Sequence, residues 1–275
     1  MLEMLSRRET VRGRQEDRMK KLNVNQMKYL AAVFMAVDSL YLAMPGVFPD
    51  WFHLITRFVA PLFAFFVVEG FFHTRSREKY LSRLWIAAAL MQLGDYLSFL
   101  LLGQNRITDN IFLTLAIGFG MMCVWERAKI AEKGRKITLY SAGTLIFLAG
   151  AAFSVIPITI GRYSFGLEGG IQILSVIGIF YLFYGSRKKQ VLVFLAWNAL
   201  LLLLTGVPLP WNYETPGLWF SELCFNSESL TFLFLPFLLL YNGEKGKKSK
   251  FNRYFFYFFY PAHLWILHLV AFFLQ

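Results

Sequence analysis

Charge is what this sequence has least of: 16% of its 275 residues are Asp, Glu, Lys or Arg, while 57% are apolar. A soluble domain needs about a quarter of its residues charged to cover its surface, so a water-soluble globular fold is excluded. Acidic residues are the scarcer half, 17 against 28 basic, which leaves a net charge of +11. The first 27 residues lack the apolar core and small-residue cleavage site of a secretory leader, so the first apolar run is read as an uncleaved anchor. Strict alternation of polar and apolar residues is also missing, which argues against a membrane β-barrel. No internal repeat is found. There are only two cysteines, and no spacing of His and Cys fits a recognised set of metal ligands, so no metal is expected.

What is present is long apolar runs. A bilayer core about 30 Å thick takes roughly 20 apolar helical residues to cross. Nine runs come near that length, at about 28–48, 52–73, 80–102, 110–126, 138–160, 168–184, 190–207, 227–241 and 254–274. The sixth and eighth are short, so eight spans is the alternative count. The fold class expected is an all-α, polytopic transmembrane bundle of about nine spans, residues 28–275, preceded by a basic cytoplasmic segment, 1–27. Basic residues sort by loop. Five segments, the stretch from Arg7 to Lys28 and then 75–83, 127–136, 187–189 and 245–253, hold 25 of the 28, and only Arg57, Arg106 and Arg162 remain elsewhere. That is the positive-inside pattern, and it predicts the N-terminus in the cytoplasm and the C-terminus outside. The excess charge is then topology and attraction to anionic lipid of the bilayer, not a nucleic-acid face. Cys123 falls at an inner end and Cys224 in an outer loop, too far apart for a disulfide.

Six ionisable residues lie four or more positions inside the ends of the runs: Asp38, Arg57, Glu69, Asp95, His263 and His268. Each costs on the order of 2.5–3.5 kcal/mol in hydrocarbon unless it faces a partner or a cavity. By helical rise, Asp38 and His263 fall near the midplane, Arg57 and Asp95 in the outer half and Glu69 in the inner half, as one polar column. Glu69 and His73 are four apart on one helix face, the spacing of a carboxylate that orients an imidazole base; His73 as a simple interface residue is the alternative. Arg57 and Asp95 are read as substrate-contacting or structural ion-pair residues. His263 follows Pro261, where a proline frees a carbonyl beside a titratable ring. The segment 206–228, with three prolines, three glutamates and no Lys or Arg, is read as an aromatic-anchored interfacial loop or as a lid for an acceptor.

RFVAPLFAFFVVEGFFHTRSREKYLSRL at 57–84, then LPFLLLYNGEKG at 235–246 and YFFYFFYPAHL at 254–264, resemble the blocks of the TraX family of membrane acetyltransferases. NIFLTLAIG at 110–118 and YSFGLEGG at 163–170 are weaker echoes, in the same order. The resemblance covers most of the chain from about Met27 to Leu269. It implies transfer of an acetyl group from acetyl-coenzyme A to an amine or hydroxyl of a membrane or exported acceptor, such as a pilin-like protein, a peptide or a glycan. It also implies a multi-pass protein of the bacterial cytoplasmic membrane. Arg57, Glu69, His73 and His263 fall on the family's motif positions, and Asp38 joins them as a catalytic candidate. Where relatives read Asp-His in the first span, this chain reads Asp38-Ser39. If that His is the base, its work passes to His73 or His263, or catalysis is weak or absent. Arg75, Arg77, Lys79 and Arg83 at the exit of the second run suit the coenzyme's phosphates. A transporter or flippase, and a non-catalytic scaffold, are the competing readings.

Overall fold

The computed structural model describes residues 22–44, 46–103, 110–205, 209–225 and 227–274. The basic segment before Leu22, Arg106 and part of the 206–228 segment therefore lie outside the described residues. Eleven α-helices make the fold there: α1 (Val24–Ala43), α2 (Trp51–Thr56), α3 (Val59–His73), α4 (Arg77–Leu102), α5 (Ile111–Ile130), α6 (Lys133–Val155), α7 (Gly170–Leu182), α8 (Arg187–Thr205), α9 (Pro216–Phe225), α10 (Leu235–Leu240) and α11 (Lys250–Leu274). The class is all-α, as expected, with one small departure. The fifth apolar run stops being helical at Val155, and Ile158–Ile160 (β1) pairs antiparallel with Tyr163–Phe165 (β2). Pro157 and the β-branched residues after it explain the switch.

Three helix starts carry their own side-chain caps. Asn23 and Gln26 form a capping box on α1, Ser76 Oγ accepts from Lys79 N–H on α4, and Asn110 Oδ1 accepts from Leu113 N–H on α5. Each satisfies first-turn donors that have no partner within the helix. Pro61 is tolerated in α3 because it stands in that first turn. Pro261 lies inside α11, and the helix runs through it.

Among the described residues, five helical spans are long and apolar enough to cross a membrane: Trp51–His73 (α2 with α3), Arg77–Leu102, Ile111–Ile130, Lys133–Val155 and Lys250–Phe273. A sixth arises if the bent pair Pro216–Phe225 and Leu230–Leu240, 75° apart, counts as one broken span. Helix α7 is apolar but short, and α1 is diluted by Lys28 and Asp38. The span Trp51–His73 is the innermost and Lys133–Val155 the most peripheral, with 72% and 11% of their apolar windows buried. Lipid-facing helices accordingly expose Leu and aromatic side chains, such as Leu101, Leu145, Leu203 and Phe258.

Packing between helices uses aromatics and small residues. Phe63 stacks on Phe256 at 3.8 Å, Phe58 on Phe237 at 3.9 Å and Phe72 on Tyr184 at 3.6 Å between centroids. Such pairs add about 0.5–1.5 kcal/mol each beyond burial. Gly143 lets α6 close on Trp125 of α5, where a Cβ would fall 2.3 Å from the indole. The start of α1 is tied to the 240–252 segment through Leu22 N–H to Leu240 O, Val24 N–H to Glu244 O, and the Tyr29–Asn252 side-chain pair. This brings the basic loops to one end of the bundle.

Candidate functional site

Opposite that basic end, a cavity of about 650 Å³ opens between α1, α2, α3, α7 and α11. It is walled by apolar side chains such as Met35 and Phe63, and its polar lining includes Asp38, Ser39, His53, Thr56, Arg57 and Glu168.

The carboxylate of Asp38 organises one wall. Thr56 Oγ1 donates to Asp38 Oδ1 at 2.8 Å, and His53 Nδ1 lies 2.8 Å from the same oxygen. An ionised carboxylate only accepts, so His53 carries its proton on Nδ1. Arg57 Nη2 stands 3.6 Å from Asp38 Oδ1 and 2.7 Å from both ring nitrogens of His53. With the proton on Nδ1, the one ring lone pair open to the guanidinium is on Nε2. The local fold explains the grouping. Helices α2 and α3 are separated at Arg57–Phe58, and Arg57 Nε takes up the His53 carbonyl at 3.1 Å. A side chain inserted into the helical ladder in this way is a recognised cause of a break. It leaves His53, Thr56 and Arg57 facing α1 together.

The facing wall comes from the turn before α7. Tyr260 O–H donates to Glu168 Oε2 at 2.7 Å, and Thr114 Oγ1 to the Glu168 carbonyl at 2.7 Å. Gly170 has φ +28°, and a Cβ there would fall 2.0 Å from Ser154 Cβ, so the turn that carries Glu168 admits only glycine at that place.

Behind the cavity wall, His263 Nε2 is 3.2 Å from Ser39 Oγ, and His263 Nδ1 is 2.8 Å from the Phe259 carbonyl. Both side chains are buried. His268 does not line the cavity.

The other sequence candidates lie elsewhere, and the single polar column resolves into separate clusters. Asp38 is the fifteenth residue of α1, about 21 Å from its start by helical rise, so it sits beyond the middle and toward the cavity end. Asp95 is buried beside Tyr163, whose O–H donates to Oδ2 at 2.6 Å, and beside Gln92, whose Nε2 donates to that same oxygen; it does not line the cavity. Glu69 is at the basic end, with Oε1 3.9 Å from Arg187 Nη2 and a hydrogen bond to the Tyr241 side chain. The hydrogen bond expected between the Glu69 carboxylate and His73 is not formed. The ring leans back so that Nδ1 lies 2.8 Å from the Glu69 backbone carbonyl, with the carboxylate 3.7 Å away, and the His73 side chain is 64% exposed. Helical side chains point toward the N-terminus, which puts Nδ1 over the carbonyl four residues back.

The four basic candidates also separate. Arg77 is spent on Glu126, 3.7 Å away, and on the Phe71 ring. Arg75 and Lys79 are exposed. Arg83 joins Lys245, Lys248 and Arg253 instead. Burial first, then the neighbouring charges of Arg253, Lys248 and Arg83, hold the Lys245 ammonium below the ordinary lysine range. Among the described residues no carboxylate lies within 4 Å of Lys28, Arg83, Lys245, Lys248 or Arg253. An unpaired cation cluster of this kind fits the phosphates of a nucleotide.

His53, Thr56 and Glu168 are among the cavity residues that the sequence did not single out. His53 lies two residues past Trp51, at the edge of an apolar run, and its signal was the four-residue spacing to Arg57. The 206–228 segment holds a helix, α9, rather than a loop, and Phe225 at its end reaches the cavity, with its ring 6.4 Å from His53.

The TraX protein family model matches residues 23–271. A probable fimbrial assembly protein FimC, serogroup H1, of Dichelobacter nodosus is 31% identical over 127 residues, which are 42% of this chain and 51% of that protein. The chain thus spans about half the length of the curated relative that it matches. No solved structure matches.

Proposed function

The chain belongs to the TraX family, and from that premise we propose that it is a membrane acetyltransferase acting in pilus or fimbria assembly. It moves the acetyl group of acetyl-coenzyme A to an amine or hydroxyl of a pilin-like or other exported acceptor. The observation that carries this reading is the cavity in which Asp38, His53, Thr56 and Arg57 make one hydrogen-bonded cluster beside Ser39. A structural ion pair has no need of 650 Å³ of space in front of it. The relative's description as a fimbrial assembly protein supports the acceptor class.

The nine apolar runs all cross the bilayer of the bacterial inner membrane, with the basic end in the cytoplasm as the charge distribution directs. The coenzyme supplies an activated thioester when bound, and its phosphates are held by Lys28, Arg83, Lys245 and Arg253. Lys28 and Ser39 are eleven residues apart on α1, three turns and roughly 16 Å, so they share a face of that helix. The cavity then faces the side to which the acceptor is exported. Asp38 keeps His53 in the tautomer whose Nε2 carries the lone pair, with Arg57 Nη2 2.7 Å from it, and Arg57 supplies positive charge where an oxyanion develops. The carboxylate of Glu168 faces the same space and suits an acceptor amine. In this reading Glu69 and His73 bind or orient at the cytoplasmic mouth rather than acting as the base.

The test pairs binding with product. Acetyl-coenzyme A should raise the melting temperature of the purified protein, as ligand linkage requires. Mass spectrometry of membrane and secreted fractions should show an acetylated acceptor only in cells with the intact gene. A protein that neither binds the coenzyme nor changes the acetylation pattern is a scaffold or transporter. Reporter fusions at 128–136 and 243–252 should be cytoplasmic, and one at the C-terminus external.

A further inference from the structure

We propose that Ser39 is a covalent nucleophile activated by His263, so that the acetyl group rests on the protein between donor and acceptor. The inference rests on the acetyl-transfer reading and deepens it. It starts from the tautomer. The Phe259 carbonyl accepts and cannot donate, so His263 Nδ1, 2.8 Å away, carries the ring proton. Nε2 of the neutral ring then has a lone pair, and the group in front of it is Ser39 Oγ at 3.2 Å. The serine hydroxyl therefore donates to an imidazole whose far side is fixed by an acceptor. That is the arrangement of nucleophile, base and orienting group that activates a hydroxyl. The two residues are 224 positions apart, brought together by the packing of α1 against α11. Ser39 is part of the cavity lining, whereas His263 stands behind it, so the hydroxyl alone is presented to a substrate. Arg57, which lines the same cavity, supplies positive charge for the carbonyl oxygen as it becomes an oxyanion.

The step balances without another reactant. Ser39 Oγ attacks the thioester carbonyl carbon as its proton passes to His263 Nε2; the C–S bond breaks, and that proton leaves with the thiolate as free thiol. In the second half the acceptor amine or hydroxyl attacks the serine ester. Its proton passes to His263 Nε2 and returns to Ser39 Oγ, leaving an acetylated acceptor and the starting enzyme. The Nδ1–H bond to Phe259 holds throughout and stabilises the ring while it is charged.

The experiment uses the full chain, purified and mixed with labelled acetyl-coenzyme A in the absence of acceptor, quenched rapidly and mapped by peptide mass spectrometry. The expected result is a hydroxylamine-labile acetyl ester on Ser39, absent from Ser39→Ala. Ser39→Cys should carry it as a thioester instead. Ser39→Ala and His263→Ala should each lower turnover by about a hundredfold or more, and the double variant should lose little beyond either, as for residues acting as one unit. Both should still be stabilised against heat by acetyl-coenzyme A, which shows that they fold and bind. If Ser39→Ala transfers acetyl groups at the wild-type rate, or the label sits on another residue, the nucleophile assignment falls while the transferase reading stands. If the wild-type protein neither binds nor transfers, the reading itself fails and the inference with it.

Discussion

Two carboxylate–histidine pairs sit at opposite ends of this bundle, and only one of them is assembled. At the basic end Glu69 and His73 have the helical spacing that suggests a dyad, yet the ring bonds a backbone carbonyl and stands largely in the open. At the cavity end Asp38 and His53 come from different helices, and their contact is direct at 2.8 Å. A third group, Thr56, and the Arg57 guanidinium complete the surroundings. Spacing within one helix offers side chains a meeting; a second helix and a break in the ladder enforce it. Under the proposed acetyl transfer, the difference decides where chemistry is placed, because a base must be held against its partner in a space that a substrate can enter.

The sharpest way to break the contrast is to remove each histidine. His53→Ala should lower acetyl transfer by about a hundredfold or more, and His73→Ala should change it by no more than a few-fold, measured as turnover of purified protein at equal acetyl-coenzyme A occupancy. Equal losses would mean that both ends take part in the chemistry. A smaller change tests the geometry inside the active pair. Thr56→Val removes one of the hydrogen bonds to Asp38 and leaves the contact with His53, so it should cost about 1 kcal/mol, roughly fivefold in rate. A loss as large as that of His53→Ala would make Thr56 more than a positioning residue.

Much of this was readable from the chain, for reasons that differ between the fold and the site. The apolar runs predict where helices lie because length and composition alone set that signal, and Asp38, Arg57 and His263 stand out as ionisable groups in apolar surroundings. The pairing of Ser39 with His263 and the arrival of Glu168 opposite Asp38 depend on tertiary packing over long stretches of chain, which periodicity does not encode. His53 was hidden by its place at the end of a run, and the rotamer of His73 sets its ring 3.7 Å from the Glu69 carboxylate, with Nδ1 on the backbone carbonyl instead. The basic candidates divided for the same kind of reason: Arg77 meets Glu126 from another helix, while Arg83 meets the 245–253 cluster.

Gly170→Ala probes the scaffold beneath the active pair. The added methyl meets Ser154 at a backbone angle that L-residues avoid, and a cost of about 1–3 kcal/mol is expected, read as a fall in melting temperature together with weakened acceptor binding. A modest effect on binding belongs to the basic end. Lys245→Gln should weaken acetyl-coenzyme A binding by about three- to tenfold, more at low salt than at high salt. Because Lys245 titrates below the ordinary lysine range, it is charged below that lowered pKa and loses its charge as pH rises through it. Affinity for the coenzyme should therefore decline at a pH lower than an exposed lysine would dictate, and Lys245→Gln should abolish that decline in an isothermal titration series.

The most direct measurement compares the two carboxylates themselves: turnover of Asp38→Asn and Glu69→Gln, each purified in the same way and assayed with acetyl-coenzyme A and a pilin-like acceptor. Assembly of the active pair at the cavity end predicts that Asp38→Asn falls by about a hundredfold or more while its coenzyme-induced thermal shift stays intact. Glu69→Gln should keep most of its turnover. The reverse order, with Glu69→Gln inactive and Asp38→Asn close to wild type, would place the chemistry at the basic end and contradict the account.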